Sequence, residues 1–341
     1  MSLSPNKMVS IAVLGSGSYG TALAHVLAKA DHQVKLWGRN AALCDTINAT
    51  HENARYLPGC ALHPALCATS DLKHAVSQAE WIIVAVPSVA FQSTLESFAP
   101  YYNNQPLVIG TKGLNLLSLQ TMHQRAEHIL GAHVHNTTLT ISGPSFAREM
   151  IEGHPTAVVL AGHDEALCAT IARAFFCDTF RVYTTQDVMG VEIGGALKNV
   201  IAIAAGAISG MGFGANTQAA LITRGLSEMA RIAVAMGANP LTLAGLSGMG
   251  DLVLTCTGPL SRNRTLGYTL GQGQSLQSAL SNLTQVAEGY HTAQAAYQLA
   301  LSLNVHAPIT TAVYNVLYQN MPIQQALLGV LRREPGREWE E

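Results

Sequence analysis

The first forty residues alternate between short apolar runs and a helical pattern. Residues 8–14 form a β-branched, apolar run that ends at Gly15, and residues 21–30 carry apolar side chains at helical spacing. A second short strand is predicted at residues 33–37, and it ends at Gly38. The segment therefore predicts a strand, a tight turn, a helix and a second strand, which together form one βαβ unit.

The same alternation continues to about residue 187 and then stops. Further strands are predicted at residues 81–86, 107–110, 138–141, 156–161 and 180–184. From residue 187 onward, helical segments rich in Ala, Leu and Met replace the strands. We therefore predict an α/β fold in two domains, with a doubly wound parallel sheet over residues 1–190 and an all-α C-terminal domain over residues 191–341. The charged tail, residues 332–341, is expected to fray.

The composition describes a compact protein and limits its partners. Of the 341 residues, 48% are hydrophobic and 12% are charged, which is typical of a well-buried globular chain. A formal net charge of -2 gives no overall attraction to nucleic acid or to an anionic membrane. The most apolar helical segment, residues 194–209, has only nine apolar or small residues after Asn199, and a membrane span needs about 20. We therefore predict no membrane insertion.

The cysteines and the N-terminus favour a cytoplasmic location. The six cysteines are scattered without a Cys-x-x-Cys pair, and no histidines stand at zinc-site spacing. We therefore predict free thiols and no metal, and we assign no role to the thirteen histidines. Residues 1–7 lack the basic flank and apolar centre of a signal peptide.

A glycine-rich turn joins the first predicted strand to the first predicted helix. Gly15, Gly17 and Gly20 have the G-x-G-x-x-G spacing, in which the glycines allow the tight turn, the approach of a pyrophosphate and close packing of the helix on the strand. Ser18 and Tyr19 stand at the helix N-terminus, where amide groups and the helix dipole favour phosphate. The turn therefore predicts a Rossmann domain that binds a nicotinamide dinucleotide.

The residues after the second strand bear on which dinucleotide is bound. NAD enzymes usually carry an acid here that bonds the ribose 2′-hydroxyl, but this chain has Gly38, Arg39 and Asn40. An acid would repel a 2′-phosphate, whereas Arg39 can pair with it. The alternative is that Arg39 is a solvated surface residue. We therefore predict NADP(H), NAD(H) or both as cofactor.

Three segments place cationic or amide groups towards the predicted cleft. Lys112 follows a predicted strand, and residues 142–147 follow another strand and open a helix with free N–H groups. Lys198 stands among apolar residues on a predicted helix. An unpaired buried ammonium is costly, so such a lysine must be paired or must have a lowered pKa, which suits general acid–base catalysis. The alternative is a surface lysine whose stem covers apolar neighbours.

Two later segments favour the catalytic interpretation of Lys198. Asp251 follows Ser-Gly-Met-Gly and can orient the ammonium group. Residues 261–264, Ser-Arg-Asn-Arg, offer guanidinium groups suited to a phosphate monoester. The alternative for Arg262 and Arg264 is a solvated turn.

Taken in order, these motifs resemble those of bacterial-type NAD(P)-dependent glycerol-3-phosphate dehydrogenases, over residues 9–331. The matching segments are residues 15–20, 111–113, 142–147, 192–199, 248–251, 261–264 and 286–289. The resemblance implies reversible reduction of dihydroxyacetone phosphate to sn-glycerol 3-phosphate, which supplies the backbone of membrane phospholipids. It also implies a homodimer. From the residues themselves, the glycine-rich helical segment from Gly206 to Gly214 is a candidate for packing against a partner.

The resemblance further implies roles for individual residues. Lys198 corresponds to the proton donor and acceptor, Lys112 contacts both cofactor and substrate, and Asp251 joins them in the catalytic group. The implied substrate positions are Lys112, Gly143, Ser145, Lys198, Asp251, Ser261, Arg262 and Asn263. The implied cofactor positions beside the glycine turn are Ser18, Tyr19, Arg39, Lys112, Ala147, Arg262, Val286 and Glu288.

Two other functions stay open at this stage. A related Rossmann dehydrogenase acting on a small hydroxy acid, of the 3-hydroxyacid, ketopantoate or 6-phosphogluconate type, would have the same domain order. A non-catalytic dinucleotide sensor would keep the glycine turn. Residues 261–264 argue against a substrate without phosphate, and a sensor would have no reason to keep Lys112, Lys198 and Asp251 together.

Overall fold

The structure is a computed structural model that describes residues 7–283 and 285–331. The prediction for the tail, residues 332–341, lies outside the described residues, as does most of the segment considered for a signal peptide.

An eight-stranded sheet forms the N-terminal part of the chain, in the order β3-β2-β1-β4-β5-β6-β7-β8. The strands are β1 (Ser10–Leu14), β2 (Gln33–Trp37), β3 (Cys67–Thr69), β4 (Trp81–Val84), β5 (Leu107–Ile109), β6 (Thr138–Ser142), β7 (Thr156–Ala161) and β8 (Phe180–Thr185). The helices between them are α1 (Ser18–Lys29), α2 (Ala41–Thr50), α3 (Leu72–Ser77), α4 (Ser88–Phe98), α5 (Met122–Leu130), α6 (Ala147–Glu152) and α7 (Glu165–Ala174).

Both faces of the sheet are buried, which is why its central strands are apolar at every position rather than at every second one. In β1, Ile11 and Val13 belong to the core on one face, and Ala12 and Leu14 belong to the core on the other. The predicted α/β class, with a Rossmann-type sheet, is confirmed.

The sheet differs from a fully parallel one at its far edge. Strand β7 pairs antiparallel with β6, with Ile141 opposite Leu160, and β8 is parallel to β7. The intervening helix α6 has six residues and is about 9 Å long, too short to carry the chain back along a strand of about 16 Å. The chain therefore returns as β7 itself. Strand β3 was not predicted, because its three residues, Cys-Ala-Thr, carry no apolar periodicity.

The C-terminal part is helical and is built around one long helix, α8 (Val188–Gly210). By length and composition this helix could cross a membrane, but 94% of its apolar window is buried inside the protein. The sequence argument that this segment is too short was wrong, since the helix has 23 residues; its burial is what makes it a core helix. The surrounding helices are α9 (Ala215–Ala235), α10 (Pro240–Ala244), α11 (Asp251–Thr257), α12 (Arg262–Gly271), α13 (Leu276–Ser281), α14 (Glu288–Ser302), α15 (Pro308–Tyr318) and α16 (Ile323–Leu331).

Glycines bring α12 unusually close to α8. A Cβ on Gly206 would lie 2.0 Å from the carbonyl oxygen of Arg264, and a Cβ on Gly267 would lie 1.9 Å from that of Ile203. Gly210 likewise faces Tyr268. These glycines of α8 therefore pack within the chain, and the expectation that they serve a partner subunit is corrected for Gly206 and Gly210. The close approach fixes the start of α12 beside the middle of α8.

Candidate active site

A cleft of about 990 Å³ lies between the sheet and the helical part. It is bounded by the loops that follow β1, β2, β4, β5 and β6 and by the starts of α12 and α14. Most of the residues singled out in the sequence line it: Gly15, Gly17, Ser18, Tyr19, Arg39, Lys112, Ser145, Ala147, Lys198, Ser261, Arg262, Asn263, Val286 and Glu288. Three others, Gly20, Gly143 and Asp251, lie behind this lining.

The glycine turn has the shape that a dinucleotide pyrophosphate requires. Gly15 has a φ of 122°, and a Cβ there would lie 2.5 Å from the carbonyl oxygen of Ala85. A Cβ on Gly20 would lie 2.0 Å from the carbonyl oxygen of Gly15, so only glycine lets α1 start so close to the turn. At Gly17 a Cβ would meet nothing within 4 Å, and within the described part of the chain no side chain caps the start of α1. Open space beside uncapped N–H groups therefore fits the phosphates of NAD(P).

Behind the cleft, Asp251 joins the two lysines. Its Oδ1 accepts a hydrogen bond of 2.5 Å from the Nζ of Lys198, and its Oδ2 accepts one of 2.7 Å from the Nζ of Lys112. The side chains of Lys198 and Asp251 are 8% and 2% exposed, and that of Lys112 is 16% exposed. Thr255 donates to the backbone oxygen of Asp251 at 2.6 Å, which holds the first turn of α11 in place. The surface alternative for Lys198 is therefore excluded.

The pKa values of the two lysines that share this carboxylate shift in opposite directions. Burial lowers the pKa of Lys198 to about 7, and the neighbouring Lys112 adds to this effect while Asp251 opposes it. Burial also acts against the charge on Lys112, but Asp251 and Tyr19 outweigh it and raise its pKa. Burial acts to raise the pKa of Asp251, but the two ammonium groups outweigh it and hold this pKa below its ordinary value. Of the three groups, Lys198 therefore has the pKa nearest to neutrality.

Tyr19 and the loop after β6 form the wall beside Lys112. The Nζ of Lys112 lies 5.4 Å from the centre of the Tyr19 ring, within range of a cation–π interaction. Ser145 donates a hydrogen bond of 2.9 Å to the carbonyl oxygen of Gly143. Gly143 has a φ of 142°, and a Cβ there would lie 2.9 Å from the Cα of Val158. Gly143 therefore shapes the loop, and Ser145 is the polar side chain that lines the cleft between Gly143 and the start of α6.

Helix α12 brings one cation to the opposite wall. Arg262 is exposed in the cleft, whereas Arg264 does not line it. Ser261 caps the helix, because its Oγ accepts from the N–H of Arg264 at 3.2 Å. Asn263 donates to the Oδ1 of Asn199 at 2.8 Å and accepts from the N–H of Gly289 at 2.9 Å. These buried bonds tie α12 to α8 and α14, so the position of Arg262 relative to Lys198 is fixed.

The remaining predicted cofactor residues also line the cleft. Glu288, at the start of α14, accepts from the Oγ of Ser88 at 2.5 Å and from its N–H at 3.2 Å, which joins α14 to the sheet domain. Arg39 is exposed directly after β2, and Asn40 caps α2 by accepting from Leu43 at 3.0 Å. Val286 is 40% exposed. Ala147 is the first residue of α6.

Sequence reasoning missed Gln285, which bridges the two sides of the cleft. Its Oε1 accepts from the Oγ of Ser18 at 3.0 Å and from the Nη1 of Arg262 at 3.0 Å. Its amide nitrogen donates to the carbonyl oxygen of Tyr56 at 3.5 Å. The available signal was its position next to the matching segment 286–289. Gln285 therefore positions the arginine that faces the glycine turn.

Comparison with known proteins gives one consistent result. Residues 10–168 match the family model described as NAD-dependent glycerol-3-phosphate dehydrogenase N-terminus, and residues 187–328 match the model for the C-terminus of the same enzymes. The chain is 48% identical over 325 residues to glycerol-3-phosphate dehydrogenase (NAD(P)+) of Geobacter sulfurreducens, covering 95% of this chain and 97% of that protein. It is 49% identical over 333 residues to the enzyme of the same name from Xanthomonas euvesicatoria, covering 96% of each.

A solved structure agrees along nearly the whole chain. The crystal structure of glycerol-3-phosphate dehydrogenase from Coxiella burnetii superposes with a TM-score of 0.91 at 37% identity, covering 96% of this chain and 99% of that one. The resemblance noted from the motifs is thus confirmed at the level of sequence, family model and fold. The chain belongs to the NAD-dependent glycerol-3-phosphate dehydrogenase family.

Proposed function

We propose that this enzyme reversibly reduces dihydroxyacetone phosphate to sn-glycerol 3-phosphate, with Lys198 as the proton donor and acceptor. One observation carries the proposal. A buried lysine with a pKa near 7 is hydrogen-bonded to Asp251 in the same cleft as a dinucleotide turn and an exposed arginine. This combination supplies a proton, a place for the cofactor and a cation for the substrate phosphate.

The cofactor is NAD(P)(H), which supplies or accepts the hydride when bound. Gly15, Gly17 and Gly20 would hold its pyrophosphate at the start of α1. Arg39 would pair with a 2′-phosphate, and its exposed position beside the cleft leaves room for one. We therefore propose that NADP(H) is accepted as well as NAD(H).

Arg262 anchors the substrate through its non-reacting end. A guanidinium group binds a phosphate monoester through paired, charge-assisted hydrogen bonds. Ser261 and Asn263 hold Arg262 in place through the cap of α12 and through the buried bond to Asn199. Because the phosphate is fixed at this wall, the carbonyl end of the substrate is directed towards the two lysines, and binding energy from the phosphate is used for orientation.

Lys198 protonates the carbonyl oxygen as negative charge develops on it. Asp251 holds the ammonium group in position, and Lys112, which keeps its charge at neutral pH, stabilises the developing oxyanion. In the oxidative direction neutral Lys198 removes the hydroxyl proton. General acid–base catalysis of this kind contributes a factor of about 10² to 10⁴.

The family resemblance also bears on the use of the product, the location of the enzyme and its oligomeric state. We propose that the product supplies the backbone of membrane phospholipids, that the enzyme acts in the cytoplasm and that it forms a homodimer. The substrate is a small phosphorylated molecule, and the net charge of -2 supports neither nucleic acid nor a membrane surface as a partner.

A nicotinamide absorbance assay tests the substrate and the cofactor together. With dihydroxyacetone phosphate, we expect oxidation of NADPH and NADH, and no oxidation with ketopantoate or another acid that lacks phosphate. Turnover of ketopantoate instead would assign the chain to a related dehydrogenase. Tight cofactor binding without turnover of any substrate would identify a dinucleotide sensor.

A further inference from the structure

Three histidines that lie far apart in the sequence meet outside the active-site cleft. His123 lies in α5, His135 lies between α5 and β6, and His163 directly follows the strand β7 and Gly162. One potential ligand atom from each of the three lies within 4.8 Å of the others. None of these histidines lines the cleft. His135 lies before the N-terminal end of β6, whereas the cleft loop with Ser145 follows the C-terminal end of the same strand.

A carboxylate already lies among these rings. Glu127 is one helical turn after His123, and its Oε1 lies 3.0 Å from the Nε2 of His123. The same oxygen contacts the Nδ1 of His135. Neighbouring ligand atoms in a tetrahedral zinc site with ordinary bond lengths are about 3.3 Å apart. The Glu127 carboxylate thus lies within reach of two of the three imidazoles.

His123 is the buried anchor of the group. Its side chain is 4% exposed; its Nε2 faces Glu127, and within the described residues its Nδ1 has no hydrogen-bond partner. Buried polar atoms in proteins are normally satisfied, so a buried ring with one unpartnered nitrogen is available to a ligand. The backbone N–H of His123 donates to the Glu192 carboxylate on α8 at 3.1 Å, which fixes the residue in place.

The other two histidines lie at the surface, where an ion can enter from solvent and where their side chains can rotate. Both His135 and His163 are exposed, and their rings are stacked with centroids 4.1 Å apart. The ligand atoms already lie within 4.8 Å of one another, and rotation of the two exposed side chains can bring them to the spacing of about 3.3 Å found in a tetrahedral zinc site. An ion therefore reaches the site from solvent without any rearrangement of the buried core.

We propose that His123, His135, His163 and Glu127 bind one divalent transition-metal ion of the zinc type. Imidazole nitrogens and a carboxylate oxygen are ligands that Zn²⁺ accepts in tetrahedral geometry. The bound ion connects α5 and the segment before β6 to the loop after β7. It thereby crosslinks the antiparallel edge of the sheet at a distance from the reacting groups, and the site acts on stability rather than on the chemical step.

Zinc binding to the purified full-length enzyme, after removal of metals with a chelator, tests this proposal. We expect one equivalent of Zn²⁺ to bind to the parent protein, and His135→Ala and His163→Ala to weaken binding at least tenfold. Both positions are exposed, so the variants retain the fold. His128→Ala is the matched control, because His128 is an exposed histidine of the same helix α5 outside the group. Addition of Zn²⁺ should raise the melting temperature of the parent and of His128→Ala, but not that of His135→Ala or His163→Ala.

Co²⁺ provides a second readout, because the intensity of its visible absorption distinguishes four-coordinate from six-coordinate ions. We expect a four-coordinate spectrum in the parent that is lost in His163→Ala. Equal Zn²⁺ affinity and stoichiometry in the parent, His135→Ala, His163→Ala and His128→Ala would overturn the proposal. Failure of the parent to bind Zn²⁺ would overturn it as well, and neither result would affect the proposed dehydrogenase activity.

Discussion

At the wall of the cleft, the ammonium groups of Lys198 and Lys112 share the carboxylate of the buried Asp251. Asp251 contacts Lys198 and Lys112 through separate oxygens, so one negative charge compensates two positive ones. Under burial, the less costly arrangement is for one lysine to release its proton near neutral pH, and for Lys198 the pKa falls to about 7. The lowered pKa of Lys198 therefore arises from its burial and from the neighbouring ammonium group of Lys112.

The pH dependence of the rate follows from this pKa. In the direction of ketone reduction Lys198 must be protonated, so kcat/KM should fall as pH rises through about 7. In the direction of alcohol oxidation it must be neutral, so kcat/KM should rise over the same range. Because Asp251 raises the pKa of Lys198, Asp251→Asn should move both transitions to lower pH. Initial rates in both directions from pH 5 to 9 measure this, and two profiles with the same slope would contradict the assignment.

Arg39 gives a separate test of cofactor choice. If it pairs with the 2′-phosphate, Arg39→Ala should raise the KM for NADPH about tenfold or more, the effect of losing a charge-assisted hydrogen bond. The KM for NADH, which has no such phosphate, serves as the internal control and should stay within about twofold. An unchanged KM for NADPH would show that Arg39 is a solvated surface residue that does not bind the 2′-phosphate.

Single residues were predictable from the sequence where a local pattern carries the chemistry. The glycine spacing and the apolar surroundings of Lys198 are both local, and the structure brings Lys198 and Asp251 into contact as expected. The bridge made by Gln285 and the meeting of His123 with His163 depend on tertiary packing between distant segments. The prediction that the histidines have no role therefore rested on spacing alone, and spacing cannot detect such a cluster.

At the scale of elements, two glycines at the start of α1 have different roles: Gly20 allows close packing, and Gly17 leaves space for the cofactor phosphates. Gly20→Ala should destabilise the sheet domain by about 2 kcal/mol or more, because its methyl group would lie 2.0 Å from the carbonyl oxygen of Gly15. Gly17→Ala should leave stability nearly unchanged, since nothing lies within 4 Å, but should raise the KM of the dinucleotide by crowding its phosphates. Urea unfolding and cofactor titration of the two variants measure this. Equal stability of the two variants would show that α1 can move away from the turn.

Other elements show where sequence patterns lose information. Strand periodicity located β7, but it does not report direction, which follows from the shortness of α6. The apolar pattern of α8 is compatible with a membrane helix or with a core helix, and only the surrounding helices decide for the core. The buried Glu228 accepts from the N–H groups of Ile309 and Thr310 at the start of α15, a cap supplied by a distant helix that no local motif announces.

At the scale of the whole molecule, the cleft is assembled from both parts of the chain. The sheet contributes the glycine turn and Lys112, while the helices contribute Lys198, Asp251 and Arg262. The bonds from Ser88 to Glu288 and from Ser18 to Gln285 cross between the parts and hold the walls of the cleft together. The division near residue 190 stays a prediction, as do the homodimer and the roles of individual site residues.

The central claim, that Lys198 provides the proton, is tested most directly by Lys198→Met. NADPH binding, followed by fluorescence titration, should remain within about threefold of the parent, because the dinucleotide turn lies on the sheet side of the cleft. Turnover of dihydroxyacetone phosphate should fall by a factor of about 10² to 10⁴. Lys29→Met, at an exposed lysine of α1, is the control and should retain full turnover. Near-normal turnover in Lys198→Met with intact NADPH binding would contradict the account.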